Sequence, residues 1–299
     1  FGFDCYNPDN YDLRFRGPVT LRSALAQSLN VPSVKTLYLS GVKETLDLAE
    51  NMGISTLQDR SRFGLSLVLG GAEVKLIDIT SAYGVFANDG IRNPWFFIKR
   101  IESAEGNIIE EFQPSPKRAV DQQIARLISD ILSDNTARAP VFGYSNYLFI
   151  PGRAVAAKTG TTQENRDAWV IGYTPSLAVG VWTGNNDNKS MTKESSGISA
   201  SGPIWRKFFM QYLERTSPEK FNKPDPILID KIMLNGGYIP EDSTDSQDIH
   251  NILYYINKNN PLGPIPINPD VDPQFLHWEW SVRNYFNLSL PSTKDTENI

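Results

Sequence analysis

Ala156-Ala157-Lys158-Thr159-Gly160-Thr161-Thr162 is the stretch on which the reading of the whole chain turns. Small apolar residues lead into a lysine, and threonines flank a glycine. Two further segments follow closely, Asp167-Ala168-Trp169-Val170-Ile171-Gly172-Tyr173-Thr174 and, past a Pro-Ser turn, Leu177-Ala178-Val179-Gly180-Val181-Trp182-Thr183-Gly184. Both are rich in Val, Ile, Trp and Tyr, which suit a pleated, half-buried surface. The three segments predict three sequential strands of an antiparallel sheet, with residues 158–161 on the first. A lysine beside hydroxyls suits a carboxylate and a proton relay. Gly160 leaves no side chain between backbone and ligand, so an extended substrate can pair alongside it. The Lys-Thr-Gly triplet alone is a weak signal, because three residues recur by chance.

Working outward, the composition narrows the classes. Of 299 residues 40% are hydrophobic and 21% charged, enough apolar material for a sizeable core. The net charge of −5 is spread without blocks of like sign, which argues against a nucleic-acid partner and gives no basic patch for a membrane surface. Cys5 is the sole cysteine, so no intrachain disulfide can form, and one thiol is compatible with either side of a membrane. With His250 and His277 the only histidines, a His/Cys zinc site is not expected, and no metal or cofactor is. No run of about 18 apolar residues offers a bilayer span, and no signal peptide is expected within these residues. The chain opens on Phe1-Gly2-Phe3-Asp4 without a methionine, which reads as a piece of a longer protein lacking its beginning.

Taken in order, residues 1–19 read as an irregular loop and Thr20 as the N-cap of a helix over 21–29. Asn30-Val31-Pro32 interrupts that helix, because the residue before proline is pushed out of the helical region. Ser28 and Asn30 are therefore expected at a helix end or in the turn after it, where polar side chains can point into a cleft or, for Asn30, cap the helix. Helices are expected over 33–39 and 43–52, each ending at a glycine, and over 73–88. A hairpin spans 96–112 across Glu105-Gly106. An amphipathic helix over 120–134 should turn Ile124, Leu127, Ile128 and Ile131 inward, and 136–151 reads as a loop. After a polar stretch over 185–201, Pro203 opens a helix to about Arg215, with Ile204, Trp205, Phe208 and Phe209 buried. From 217 onward prolines accumulate, and the segment reads as an extended appendage.

Ser28-Leu29-Asn30 at a helix end and Lys158-Thr159-Gly160-Thr161 on a strand now stand together. So do Gly-Tyr-Thr-Pro-Ser and Gly-Asn-Asn-Asp-Asn around the strands. With Leu21-Arg22-Ser23-Ala24-Leu25-Ala26-Gln27-Ser28-Leu29-Asn30-Val31-Pro32, Ser81-Ala82-Tyr83-Gly84-Val85-Phe86-Ala87-Asn88-Asp89-Gly90 and Gly202-Pro203-Ile204-Trp205, the chain strongly resembles the transpeptidase domain of class A, bifunctional penicillin-binding proteins over about residues 14–215. The resemblance implies an α/β fold of the serine β-lactamase/transpeptidase type, with a central antiparallel sheet flanked by helices. It implies a domain over 1–216 and a proline-rich C-terminal extension over 217–299. It implies D,D-transpeptidation, in which a serine attacks the penultimate D-Ala carbonyl of a peptidoglycan stem peptide and an amine resolves the acyl-enzyme. β-Lactams acylate the same serine. By the family pattern Ser28 is the relay serine, Asn30 holds the substrate amide and Lys158 supplies charge near Ser28. Thr159 and Thr161 meet the substrate carboxylate, within a substrate-binding run that includes Gly160 and Thr162, and the Thr161 N–H forms half of the oxyanion hole. The implied location is the extracytoplasmic face of the bacterial cytoplasmic membrane, with an anchor and a glycosyltransferase domain in the full-length protein.

One departure stands out. The family's nucleophile lies in an S-x-x-K motif upstream of S-x-N, and the 27 residues before Ser28 contain none. Ser40 to Lys43, Ser190 to Lys193 and Ser217 to Lys220 match the pattern but follow S-x-N. They read as chance matches, and the nucleophile is expected on a segment preceding this chain. Alternatives are a carboxypeptidase or β-lactamase-like hydrolase of the same fold, and a catalytically silent penicillin-recognising module. The strand over 177–183 is expected to be a sheet edge.

Overall fold

A computed structural model of the chain describes residues 6–192, 194–228, 231, 234 and 249–288; Cys5, Lys193 and the chain's first residues lie outside them. The chain divides into one unit of residues 1–8 and 22–225 and another of residues 9–21 and 226–299.

In the larger unit the central sheet follows from the three β-rich segments. It has the order β5 (Ala156–Thr161), β6 (Asp167–Tyr173), β7 (Ala178–Gly184), all antiparallel. Lys158 lies opposite Ile171, and Trp169 opposite Trp182. Two small antiparallel pairs accompany it, β1 (Ile91–Arg92) with β4 (Lys117–Arg118), and β2 (Arg100–Glu102) with β3 (Ile108–Glu111). The β2–β3 pair is the hairpin expected across Glu105-Gly106, with shorter strands.

Helices cover both faces of the sheet. On one face lies α7 (Gly202–Leu213), whose fully buried Trp205 and Phe209 pack with Ala157, Val170 and Leu148. Ile204 and Phe208, expected inward with them, are about half exposed (54% and 49%), because one helix face narrower than four residues meets the sheet. On the other face Ala156 and Tyr173 pack with Leu132, Leu25 and Tyr83. There α4 (Leu76–Ala87) and α5 (Gln122–Ser133) meet the sheet. The latter is capped by Asp121, whose carboxylate accepts the Gln123 and Ile124 N–H groups. Its buried stripe is Ala125, Ser129 and Leu132, one position on from the expected one, and Ile124 is exposed. The small Ala125 and Ser129 admit close neighbours, and the Ser129 hydroxyl meets the Tyr173 hydroxyl at 3.0 Å.

Further helices are α1 (Leu21–Ala26), α2 (Asn30–Ser40) and α3 (Val42–Met52). Pro32 does not end a helix; it lies in the first turn of α2, where backbone N–H groups have no intrahelical partner to lose. Asn30 thus opens α2, beyond the turn that closes α1. Nor is 136–151 wholly a loop. Asp134 accepts the Ala137 N–H and caps α6 (Asn135–Phe142), a short helix hidden in the sequence by Pro140 inside it. The long helix expected from residue 73 starts at Leu76.

The smaller unit holds α8 (Ile252–Tyr255) and α9 (Phe275–Tyr285). The buried Glu279 carboxylate gathers His250 Nδ1 at 2.8 Å, the Asn251 main-chain and side-chain N–H groups at 3.1 and 2.9 Å, and Arg283 Nε at 2.8 Å. Gly17, at φ +65°, lies against the Tyr285 ring, where any side chain would collide.

Candidate active site

The site begins with a helix end. After α1 the Ser28 N–H bonds to the Leu25 carbonyl at 3.2 Å and the Leu29 N–H to the Ala24 carbonyl at 3.0 Å. This paired closure requires the residue between to take the left-handed conformation, a place usually held by glycine. Here it is Ser28, at φ +60°. The strained backbone aims a hydroxyl where an ordinary helix end would carry none. Two residues later Asn30 opens α2.

Strand β5 brings the lysine. Lys158 Nζ donates to Ser28 Oγ at 2.6 Å and to its neighbour's carbonyl, Thr159 O, at 2.8 Å. The structure therefore joins Ser28 and Lys158, which are 130 positions apart in sequence. Burial, with the like charge of Arg138 second, lowers the Lys158 pKa to about 8. Arg138 of α6 is itself buried, which lowers its pKa to about 10 against the favourable charge of Asp134, so it stays charged at neutral pH.

The register fixes which backbone groups of β5 are free of the sheet. Thr162 N–H bonds to Asp167 O at 3.0 Å, so by alternation residues 160, 158 and 156 also face β6. The groups of Ala157, Thr159 and Thr161 point away from it. Their partners agree with that assignment: Ala157 O accepts from Arg138 Nη2 at 3.2 Å, and Thr159 O from Lys158. The Thr161 N–H lies on the same outer edge, which among the described residues no strand covers.

The other expected site residues are placed as follows. Thr159 and Thr161 follow Ala157 onto the α7 face, opposite Lys158. Thr161 Oγ1 accepts the Gly197 N–H at 2.9 Å, at the start of a π-turn (Gly197–Ser201) leading into α7. Gly197 sits directly on β5, and its bare α-carbon admits the Gly160 carbonyl. Thr162 closes the β5–β6 turn: its hydroxyl donates to Asp167 at 2.9 Å and accepts the Asp167 N–H at 2.8 Å. Sequence reasoning missed Arg138 and Gly197. Arg138 fell in a stretch read as a loop, and nothing in its spacing announces burial. Below Ala156, burial raises the hydroxyl pKa of Tyr83 to about 12 and raises that of Tyr173 too, so this floor is neutral. No group of His, Cys, Asp and Glu suited to a metal ion occurs among the described residues.

This arrangement can pass a proton between a hydroxyl and a lysine poised to lose one. It can also hold an extended chain on the outer edge of β5.

Residues 3–210 match the family described as Penicillin binding protein transpeptidase domain. Penicillin-binding protein 1A of Aquifex aeolicus (strain VF5) is 37% identical over 219 residues, 73% of this chain and 29% of that protein. Penicillin-binding protein 1B of Vibrio cholerae serotype O1 is 33% identical over 221 residues, 74% of this chain and 27% of that protein. The chain thus spans less than a third of the length of these relatives. Among solved structures, the PonA1 protein from Mycobacterium tuberculosis in complex with penicillin V matches with a TM-score of 0.65 at 29% identity, covering 75% of this chain and 64% of that one.

Proposed function

Since the chain belongs to the penicillin-binding protein transpeptidase family, we propose that its Ser28–Lys158 corner is the relay and anchoring half of a serine acyl-transfer site for D-Ala-D-Ala stem peptides of peptidoglycan. The fold, a central antiparallel sheet flanked by helices, is that of the solved penicillin-binding proteins. The observation that carries the proposal is the 2.6 Å contact between Lys158 and Ser28, set beside an uncovered strand edge.

In this reading the stem peptide lies along the outer edge of β5, its terminal carboxylate met by the Thr159 and Thr161 hydroxyls and its amide by Asn30. A serine of an S-x-x-K segment outside this chain attacks the penultimate D-Ala carbonyl. As the carbonyl becomes tetrahedral, its oxygen takes up negative charge and the Thr161 N–H donates to it. The serine proton is passed through Ser28 and Lys158 to the amine of the departing D-Ala, so the C–N bond breaks with a neutral leaving group. An amine of a neighbouring strand then attacks the ester, loses its proton by the reverse route and completes the cross-link. A β-lactam takes the peptide's place and stays on the serine. The same reading places the whole protein on the extracytoplasmic face of the membrane, with an anchor and a glycosyltransferase domain.

The test is acylation by a fluorescent penicillin in the full-length protein. Lys158→Ala should slow it on the order of 100-fold, the usual cost of one positioned electrostatic partner. Near-parent rates would make Lys158 an ordinary strand lysine and overturn the reading.

A further inference from the structure

Arg138 is a buried cation whose charge Asp134 favours without a hydrogen bond between their side chains among the described residues. It is 2% exposed, and its hydrogen bonds run to two main-chain carbonyls, Leu132 O at the end of α5 and Ala157 O on β5. Among the described residues it forms no ion pair. A neutral amide could serve such carbonyls, whereas taking a guanidinium out of water is costly. The charge therefore calls for a use, and its position supplies one. Ala157 O and Thr159 O point out of the same edge of β5, two residues apart, which the strand rise sets at about 6.6 Å. One carries the Arg138 guanidinium and the other the Lys158 ammonium. Two like charges thus serve successive outward carbonyls of one edge, and one of them also meets Ser28.

We propose that Arg138 is a positioning residue for the Ser28–Lys158 pair: it pins β5 to the end of α5 and sets a fixed cation beside the lysine, so that the lysine shares its proton with Ser28. A second cation nearby favours the neutral amine. It acts in the same direction as burial, and both lower the Lys158 pKa. A relay needs that direction, because an ammonium that never yields its proton cannot pass one on. The other ionisable groups on the elements packed against β5 are engaged elsewhere. Arg126 pairs with Asp89 and Asp130 with Arg22 and Lys223. Asp167 is held by Thr162 and Trp182, and the Tyr173 hydroxyl by Ser129. Asp134, which favours the charge on Arg138, is bonded to Arg22. Arg138 also occupies the N-terminal part of the outer edge, so an incoming peptide is steered to pair from Thr159 onward.

The proposal rests on the acyl-transfer reading for its consequence, but its test does not. Lysine side-chain NMR on the 299-residue chain, with Lys158 assigned by Lys158→Arg, follows its titration without substrate. In the unaltered chain Lys158 should titrate well below its neighbours, and an ordinary lysine value there overturns the proposal. Arg138→Gln and Arg138→Met keep an unbranched stem and remove the charge. Either, folded by circular dichroism, should raise the Lys158 pKa by about one unit. An unmoved titration in a folded variant overturns the proposal, and so does unfolding of both variants, which would make Arg138 a residue of stability alone. If the titration moves while full-length Arg138→Gln acylates at the parent rate across pH, acyl transfer stands but does not use the shifted proton, and the positioning role of Arg138 is overturned.

Discussion

Ser28 holds a left-handed backbone at φ +60°, which costs an L-residue about 1 kcal/mol relative to glycine. Ser28→Gly should therefore be more stable than Ser28→Ala by about 1 kcal/mol in urea unfolding, though both lose the hydroxyl that Lys158 meets. Equal stability would show that the turn carries no strain. For Lys158 the sign of the pH dependence follows from a folded pKa of about 8, below the ordinary lysine value of about 10.4. Below pH 8 both folded and unfolded chains hold the proton, and the whole cost of a buried ammonium is felt. Between about 8 and 10.4 the unfolded chain binds more protons than the folded one, so stability rises with pH. Relative to Lys158→Met, which has nothing to titrate there, the parent should gain about 2 kcal/mol between pH 7.5 and 9.5. Urea midpoints of the two proteins at both values measure this. A constant difference between them would mean that Lys158 keeps its proton as any surface lysine does.

Among the elements, β5 depends on what lies behind it. A Cβ on Gly197 would stand 2.5 Å from the Gly160 carbonyl oxygen and 2.7 Å from that of Trp169. Neither is a side chain that can swing aside, so Gly197→Ala must push the π-turn off β5. It should cost about 2 kcal/mol in thermal or urea unfolding and weaken penicillin acylation of the full-length protein, because Thr161 loses its Gly197 partner. Unchanged stability would mean that the turn yields freely and does not hold the strand. The three strands were legible because Val, Ile, Trp and Tyr cluster in them and turn residues separate them. That the serine turn and the lysine strand meet was legible through family resemblance, not through spacing, since nothing local links Ser28 to Lys158. Proline misled twice. Pro32 looked like a stop signal but falls in a first turn, and Pro140 concealed α6, with Arg138 on it. The inward stripe of α5 was misplaced by one residue, because apolar size was read where closeness of packing decided. Ala125 and Ser129 are buried, and the larger Ile124 is left to solvent.

On the scale of the whole molecule, the serine–lysine matches of S-x-x-K spacing show no serine–lysine contact among the described residues. Ser40 ends α2 and Lys43 lies beyond Gly41 on α3, where it is 75% exposed and bonded to Asp47 at 3.0 Å. The match at Ser190 ends on Lys193, outside the described residues, and Ser217 is exposed beyond α7. The 299-residue chain alone should therefore form no stable adduct with a fluorescent penicillin, and an adduct mapped to Ser40 would contradict this directly. The sheet permits a further test, because among the described residues β7 pairs on one side only. The Thr174 N–H bonds to Leu177 O at 2.8 Å, so alternation turns the N–H groups of Val179, Val181 and Thr183 toward β6 and those of Ala178, Gly180 and Trp182 outward. The outward edge is apolar, with neither charge nor proline to blunt it, which makes it a template for pairing with another strand. Hydrogen exchange on the dilute chain should show the alternation, with slow amides at 179, 181 and 183 and fast ones at 178, 180 and 182. Loss of that alternation as concentration rises would reveal copies of the chain adding to this edge. Uniform protection at every concentration would mean instead that another segment of the same chain already pairs with β7, and the open edge would have to be abandoned.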